Sequence, residues 1–343
     1  MGETPLLRLG VLLLLILAGL GIGTELLMRA LDPKDSGKDA SALASAKPKH
    51  HKRDSTKTAM DSVSALTAAP GAADSVPCRV VSSGIELPRN LHESSGAAQS
   101  RRDPALLWTH DDSGQPVVYA VDSTGAERAR VTVTGATNLN WEDIAAAPCP
   151  GGSCLYVGDI GDNAARRPNV VVYRVPEPAA GATATPAADA LRATYPDGPQ
   201  DAEAMFVLPD GGIYIATKGE TGPATLYRFP QPLRPGATVT LEKVAGISAA
   251  RLARPERITG GSASRDGRWI ALRTLRSVTL FPTQGGAVQS LANPRVTDLT
   301  ALDEPQGEGV GFGEGGTLFL TSEGGRSKKT SAVMARLACT LPR

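Results

Sequence analysis

Aromatic residues are scarce in this chain, at 4% of 343 positions, and neither sign of charge prevails, since 36 Lys and Arg stand against 35 Asp and Glu. Without a positive excess there is no whole-chain attraction to phosphate, so a dedicated nucleic-acid binder is excluded. Only one apolar run is long enough to consider as a membrane element, which excludes a polytopic helical membrane protein. Several signature motifs are missing as well. There is no Gly-x-Ser-x-Gly and no phosphate-binding P-loop, which disfavours α/β-hydrolase and nucleotide chemistry. His92-Glu93 has no second His four positions on, so it is not a zincin helix, and Asp159-Ile160-Gly161-Asp162-Asn163 lacks the spacing and terminal Glu of an EF-hand. What the chain has in quantity is punctuation. With 37 Gly and 26 Pro it suits many short strands joined by turns better than long helices.

The apolar run spans Leu9 to Thr24, 16 uncharged residues preceded by Arg8 and followed, after Glu25, by Leu26, Leu27 and Met28. About 20 residues are needed to cross a bilayer, so residues 1–31 read as a signal anchor, with cleavage near Gly21-Ile22-Gly23 as the alternative. An anchor gives a single-pass cell-membrane protein with its bulk outside the cytoplasm; cleavage gives a secreted or periplasmic one. Residues 32–76 are rich in Ala, Ser, Lys, Asp and Thr and carry no apolar periodicity, so they read as a disordered tether. Within it, Lys47-Pro48-Lys49-His50-His51-Lys52-Arg53 reads as a solvated charge run rather than a lipid or metal contact.

All four cysteines lie beyond the tether, in residues 77–343. An even count in an exported domain points to two disulfides, with three pairings open. Cys149 and Cys154 flank the short loop Pro-Gly-Gly-Ser and are paired here, which leaves Cys78 with Cys339 and brings the domain's two ends together. Zinc ligation is the competing interpretation, but only one pair is close in sequence.

Three windows of equal length align without gaps: Glu203 to Lys218, Thr259 to Thr274, and Glu308 to Glu323. Each holds an apolar strand, a Gly-containing turn and a second strand ending in polar groups. Glu93 to His110 and Glu142 to Asp159 share the plan, and third strands follow at Val117–Val121, Val170–Val175, Thr225–Phe229 and Ser277–Phe281. Module starts are 49, 61, 56 and 49 residues apart, a period that fits one four-stranded sheet per repeat. An all-β repeat of this size predicts a β-propeller of five blades, or six if the divergent Thr238 to Arg257 stretch hides another. The strand at Cys78–Val81 is expected to complete the blade carrying Val333 to Ala338. A monomer is expected. Trp108, Trp141 and Trp269 fall at strand edges, where packing between blades competes with a sugar-stacking platform.

The phrases Leu107-Trp108-Thr109-His110-Asp111-Asp112, Asn140-Trp141-Glu142-Asp143, Tyr156-Val157-Gly158-Asp159-Ile160-Gly161-Asp162-Asn163, Tyr173-Arg174-Val175-Pro176-Glu177-Pro178 and Asp201-Ala202-Glu203-Ala204 resemble a family of exported, mostly uncharacterised bacterial β-propeller proteins. More loosely, the Glu at the blade start resembles the esterase-like phytase and SdiA-regulated propellers and, further off, calcium-dependent lactonase propellers. The resemblance spans roughly Glu86 to Cys339 and bears on fold more than activity. Lactonase-type propellers imply one divalent ion held on the axis by carboxylates and Asn; the fourth module departs from the pattern with Thr259.

In a blade, the start of the innermost strand and the end of its antiparallel neighbour emerge on one face. The alignment therefore gathers Glu93, Glu142, Glu203, Thr259 and Glu308 with His110, Asp159, Lys218, Thr274 and Glu323 around one mouth of a central channel. Asp143, Asp201, Asp112, Asp162, Asn163 and Arg273 are neighbours. Carboxylates crowded together are relieved by protonation, by basic partners or by a cation. Glu93, Glu142, Asp159, Glu203 and Glu308 are the candidate metal ligands, with Ca2+ the expected ion, and Asp143, Asp201, Lys218, Arg273 and Glu323 the candidate ligand contacts. The alternative is that each Glu serves the fold alone, as a backbone cap or ion-pair partner. The expected function is binding of a small ligand or protein partner at this mouth, with membrane contact through the N-terminal segment and none with nucleic acid. A metal-dependent ester, lactone or phosphoester hydrolase is the alternative, with Glu142, Glu203 and His110 as candidate acid–base residues. A protein-interaction scaffold is a third reading. Gly324 to Lys329 reads as a basic turn after the last polar strand end, or as an anion contact.

Overall fold

Dense turns and short β-prone runs produce strands throughout the computed structural model, which describes residues 78–288, 290–325 and 331–342. The stretches expected to form a signal or anchor and a tether with its Lys47–Arg53 run, and most of Gly324 to Lys329, fall outside the described residues. Among the described residues no helix is long and apolar enough to cross a membrane.

The strands form five sheets. Blade 1 consists of β2 (Ala98–Gln99), β3 (Leu107–His110), β4 (Val117–Val121) and β5 (Glu127–Thr132). Blade 2 holds β6 (Trp141–Cys149), β7 (Gly152–Asp159), β8 (Val170–Pro176) and β9 (Asp189–Thr194). Blade 3 holds β10 (Ala202–Val207), β11 (Ile213–Thr217), β12 (Pro223–Arg228) and, outermost, β14 (Glu242–Arg251). Blade 4 holds β15 (Ile258–Ala263), β16 (Trp269–Thr274), β17 (Ser277–Pro282) and β18 (Arg295–Asp298). Blade 5 is built from both ends of the described chain: β19 (Gln306–Phe312), β20 (Thr317–Glu323) and β21 (Val333–Cys339), with β1 (Cys78–Glu86) as its outer strand.

The Thr238 to Arg257 stretch contributes no sixth blade. Its first part, β13 (Thr238–Thr240), pairs parallel to β9 as a fifth strand of blade 2, and the rest supplies β14 and a short 3-10 turn. The sheet order thus gives a five-bladed propeller.

Ring closure is visible in the core. Apolar side chains divide into five clusters, one per seam between neighbouring blades. The last seam joins blade 5 to blade 1, with Phe319 and Met334 packed among Leu87, Leu91, Leu107 and Tyr119. A single sheet has two apolar faces and covers neither, so each blade is stable only between two others. Cys78 pairs with Cys339 in sheet register and is disulfide-bonded to it, while Cys149 bonds Cys154 across a hairpin. Linking residues 261 apart stabilises by on the order of 5 kcal/mol in the loop-entropy model.

The tryptophans belong to these seams. Trp108 and Trp141 lie in the cluster between blades 1 and 2, and Trp269 in that between blades 4 and 5. Trp141 donates its indole N–H to the Thr137 carbonyl at 2.9 Å, and the Arg295 guanidinium covers Trp269 at 5.3 Å. All three are packing residues.

Candidate functional site at the channel mouth

The inner strands share a local irregularity that the repeat alone does not reveal. In blade 2, Trp141 pairs with Asp159 but Asp143 pairs with Gly158, so Glu142 is an extra residue in the strand. The same one-residue bulge falls at Glu203 between Ala202 and Ala204, and at Thr259 between Ile258 and Gly260. In blade 5 the slip falls between Gly307 and Val310, the stretch that carries Glu308. A bulge re-aims one side chain away from the alternation of the strand. Repeated around the ring, it turns Glu142, Glu203, Thr259 and Glu308 into one cavity of about 190 Å³.

Blade 1 departs from the pattern. One extra residue lies between Ser94, which bridges Asp111, and Ala98, which pairs with Trp108. Glu93 therefore precedes the bulge instead of occupying it. It still belongs to the rim: Ser113 Oγ donates to it at 3.4 Å, and its charge acts on Asp112 and Glu323. Asp112, Asn140, Asn163, Lys218 and Glu323 also line the cavity.

Among the described residues, the acids lining the mouth (Asp112, Glu142, Glu203, Glu308 and Glu323) outnumber the cations (Lys218, Arg254 and Arg257). Lys218 contacts Glu203 and stands 3.8 Å from Asp201 and 3.7 Å from Glu220. Burial works against its ammonium, but Glu203, Asp201 and Glu142 more than offset that, so its pKa is raised. Burial pushes the Glu142 carboxyl well above its ordinary range, and repulsion from Glu203, Glu308 and Asp201 adds to it. Glu308 is raised by burial and by Glu203 and Glu323, although Gln306 donates to it at 2.7 Å. Glu203 is raised to about 7 by burial, with Lys218 pulling it back. Glu323 also reaches about 7, through burial and the charges of Asp112 and Glu93. Burial and the neighbouring Glu93 lift Asp112 to about 6.

Other candidates sit behind the mouth. Asp159 accepts from Asn140 N at 3.1 Å and from Arg167 Nη1 at 2.8 Å, so it braces the 160–167 loop. Asp201 accepts Asp162 N at 2.7 Å, fixing the loop that presents Asn163. Asp143 is fully buried and accepts three backbone N–H groups, from Ile144 at 2.8 Å, Met205 at 2.8 Å and Gly261 at 2.9 Å, joining blades 2, 3 and 4 at the axis. Arg273 is buried, donates to the Gly309 and Thr321 carbonyls at 2.7 and 2.9 Å, and pairs with Glu304. His110 is enclosed against Trp141, and burial lowers its pKa to about 4. It does not line the cavity, so a base role beside Glu142 has no geometric support.

Four lining residues escaped the sequence reading, Gln306, Arg254, Arg257 and Leu275, and Asn140 entered it only as part of a motif. The arginines lie in the divergent stretch, with no counterpart in other modules to flag them. Gly161 was visible only as part of a motif. A side chain there would strike Asn140 Nδ2 and Glu142 Oε1, so glycine permits the loop to cross directly over the Glu142 carboxyl.

No protein-family model matches the chain, and no curated protein does. Among solved structures, the chain is similar to a PQQ-bound aldose sugar dehydrogenase from Streptomyces coelicolor, with TM-score 0.47 and 12% identity over 77% of this chain and 98% of that one. It is also similar to a gluconolactonase from Xanthomonas campestris, with TM-score 0.41 and 15% identity over 72% of each chain. A calcium-binding regucalcin from Agrobacterium tumefaciens gives TM-score 0.37 and 12% identity over 75% of this chain and 96% of that one. At these values the fold is read from the strand order of the molecule itself.

The donors at the mouth are hard oxygens, which suit calcium chemically. Among the described residues, however, no three His, Cys, Asp or Glu are grouped closely enough to hold a metal ion. Among the described residues a ready chelate is therefore not built in, while an excess of lining acids over lining cations is.

Proposed function

We propose that this protein is an envelope-tethered, extracytoplasmic β-propeller that binds a small ligand through a cation drawn to the acidic mouth of its channel. The two disulfides suit an oxidising compartment. The observation that carries the reading is the recurrence of a bulge that delivers Glu142, Glu203 and Glu308 from three blades into one cavity, where Lys218 answers only Glu203 and its neighbours. Those carboxylates, with Asn140 and Asn163, are the groups that would surround a divalent ion, and the space leaves room for water between ion and protein. Such an ion supplies a positive charge that the buried acids lack. A fold-only role for these acids predicts no response to calcium. The test is thermal unfolding of the full-length chain with and without calcium. A rise in Tm that disappears in Glu142→Gln plus Glu308→Gln supports the reading, and a wild-type Tm indifferent to calcium, magnesium and manganese overturns it.

A second reading is favoured by the place of Glu203, which lines the cavity against Lys218 with its carboxyl raised by burial to about 7, where a carboxyl exchanges protons most effectively near neutral pH. On this reading the mouth hydrolyses an ester, lactone or phosphoester bond. Calcium-dependent turnover on a panel of such compounds, lost in Glu203→Gln, would support it; a calcium response with no turnover leaves binding as the function.

A further inference from the structure

Lys218 shows what kind of charge the mouth accommodates. Its ammonium reaches Glu203 and lies 3.8 Å from Asp201 and 3.7 Å from Glu220, so one primary amine answers a group of acids. The two other lining cations among the described residues form no ion pair with Glu142 or Glu308. Arg257 pairs with Glu220 at 2.7 Å, and the exposed Arg254 makes no ion pair among the described residues. Both belong to a stretch fastened to the end of β11, where Leu252 N donates to the Gly219 carbonyl at 2.8 Å and Ile258 N to the Lys218 carbonyl at 3.1 Å. Glu142 is the acid left over. It is only 7% exposed and lines the cavity, yet its carboxyl has neither a hydrogen bond nor an ion pair among the described residues. Glu308, 6% exposed, accepts only from Gln306 Nε2, at 2.7 Å.

A calcium ion draws about six to eight oxygens in to about 2.3 to 2.6 Å, and no three acids are grouped for that among the described residues. An ammonium asks less of the geometry, because it directs separate N–H donors at acceptors about 2.7 to 2.9 Å away on different strands. The cavity of about 190 Å³, against about 30 Å³ for a water, has room for such a head and part of an alkyl stem, and Leu275 gives it an apolar wall. We propose that the mouth binds a primary ammonium on an alkyl stem, with Glu142 and Glu308 accepting its N–H groups and Leu275 in contact with the stem. A free amine and a lysyl side chain of a protein partner share this chemistry. The inference rests on the acidic mouth as the binding site, as above, but the positive charge is the ligand's own and no metal ion is needed.

Two substitutions should move binding in opposite directions, which loss of fold does not do. The probe is n-butylamine, titrated calorimetrically into the full-length chain near neutral pH with a chelator present. It is expected to bind, and its uncharged counterpart 1-butanol is not. Glu142→Gln keeps the shape of the side chain but loses a charge-assisted hydrogen bond, so amine binding should weaken about tenfold. Arg254→Gln, on an exposed side chain, should tighten it about two- to threefold, because a like charge has left the mouth. Nα-acetyl-lysinamide run in parallel separates the two sources. Tighter binding than butylamine identifies a lysyl side chain, and weaker binding a free amine. The inference is overturned if neither amine binds, if butanol binds as well as the amine, or if either variant binds the amine as the wild type does. Because metal ions are chelated, the calcium test stands apart. A calcium-induced rise in Tm without amine binding keeps that reading and ends this one, and amine binding by a protein whose Tm ignores metal ions does the reverse.

Discussion

Buried acids at the two ends of the channel live in different surroundings. At the end opposite the mouth, Glu177 Oε1 accepts from Ser100 Oγ at 2.5 Å, Arg101 N at 3.1 Å and Trp108 Nε1 at 3.0 Å, linking blades 1 and 2. The gap there is about 20 Å³, closed by small residues such as Ala98 and Ala145–Ala147. At the mouth, Glu142, Glu203 and Glu308 face one another across about 190 Å³, and only part of their charge is answered from within. Inner strands line both the gap and the mouth, while Glu177 follows β8, the third strand of blade 2. Glu177 is architectural, with three donors on one oxygen, whereas at the mouth Glu203 has Lys218, Glu308 has Gln306 and the three acids repel one another, so an outside partner gains most there.

The comparison breaks first at the axis. Asp143→Ala leaves three buried N–H groups without acceptors, and at about 1 to 3 kcal/mol each the ring should lose several kcal/mol in urea unfolding. Both ends depend on that anchor, so an unaltered midpoint would show that the blades are held without it. Next, Gly161→Ala should disturb the mouth alone. Overpacking against Glu142 and Asn140 is expected to lower stability by about 1 to 3 kcal/mol and to remove the calcium response. A normal response in that variant would mean that Glu142 is not where the cation goes.

Acidity sharpens the contrast further. Glu203 and Glu323 titrate near 7 in the folded protein, above their value in the unfolded chain. Between those values the folded state holds more protons than the unfolded one, so the contribution of these groups to stability falls as pH rises from about 4.5 through 7. Without cation the protein should be more stable at pH 5 than at pH 8 as far as these groups decide, and calcium binding should strengthen over the same interval with release of protons. Paired unfolding curves and calcium titrations across that range provide the check. A calcium affinity flat in pH would remove the mouth acids from the binding step. The smallest effect is expected at the opposite end, where Arg101→Gln should leave the calcium response within error.

The spacing of the modules and the pairing of Cys78 with Cys339 were legible in the residues, because each blade repeats one strand pattern and ring closure brings the two chain ends together. The aligned Glu142, Glu203 and Glu308 were legible for the same reason. Glu93 was misplaced by that alignment, since a bulge adds a residue to a strand without leaving a mark in composition. His110 matched a polar strand end by position and Arg273 stood beside one, yet they are enclosed by Trp141 and by Glu304 with the Gly309 and Thr321 carbonyls. Arg254 and Arg257 belong to a segment that repeats nowhere, so only its attachment to β11 reveals that they reach the cavity.

From its residues alone, this protein's strand content, its repeat and its crosslinks were decided, since these depend on local propensity and on spacing along the chain. Which acids share a cavity, which have their own donors and where the arginines stand were decided only when five sheets closed into a ring. Charges interact through distances in space, and the ring sets those distances between residues far apart in sequence.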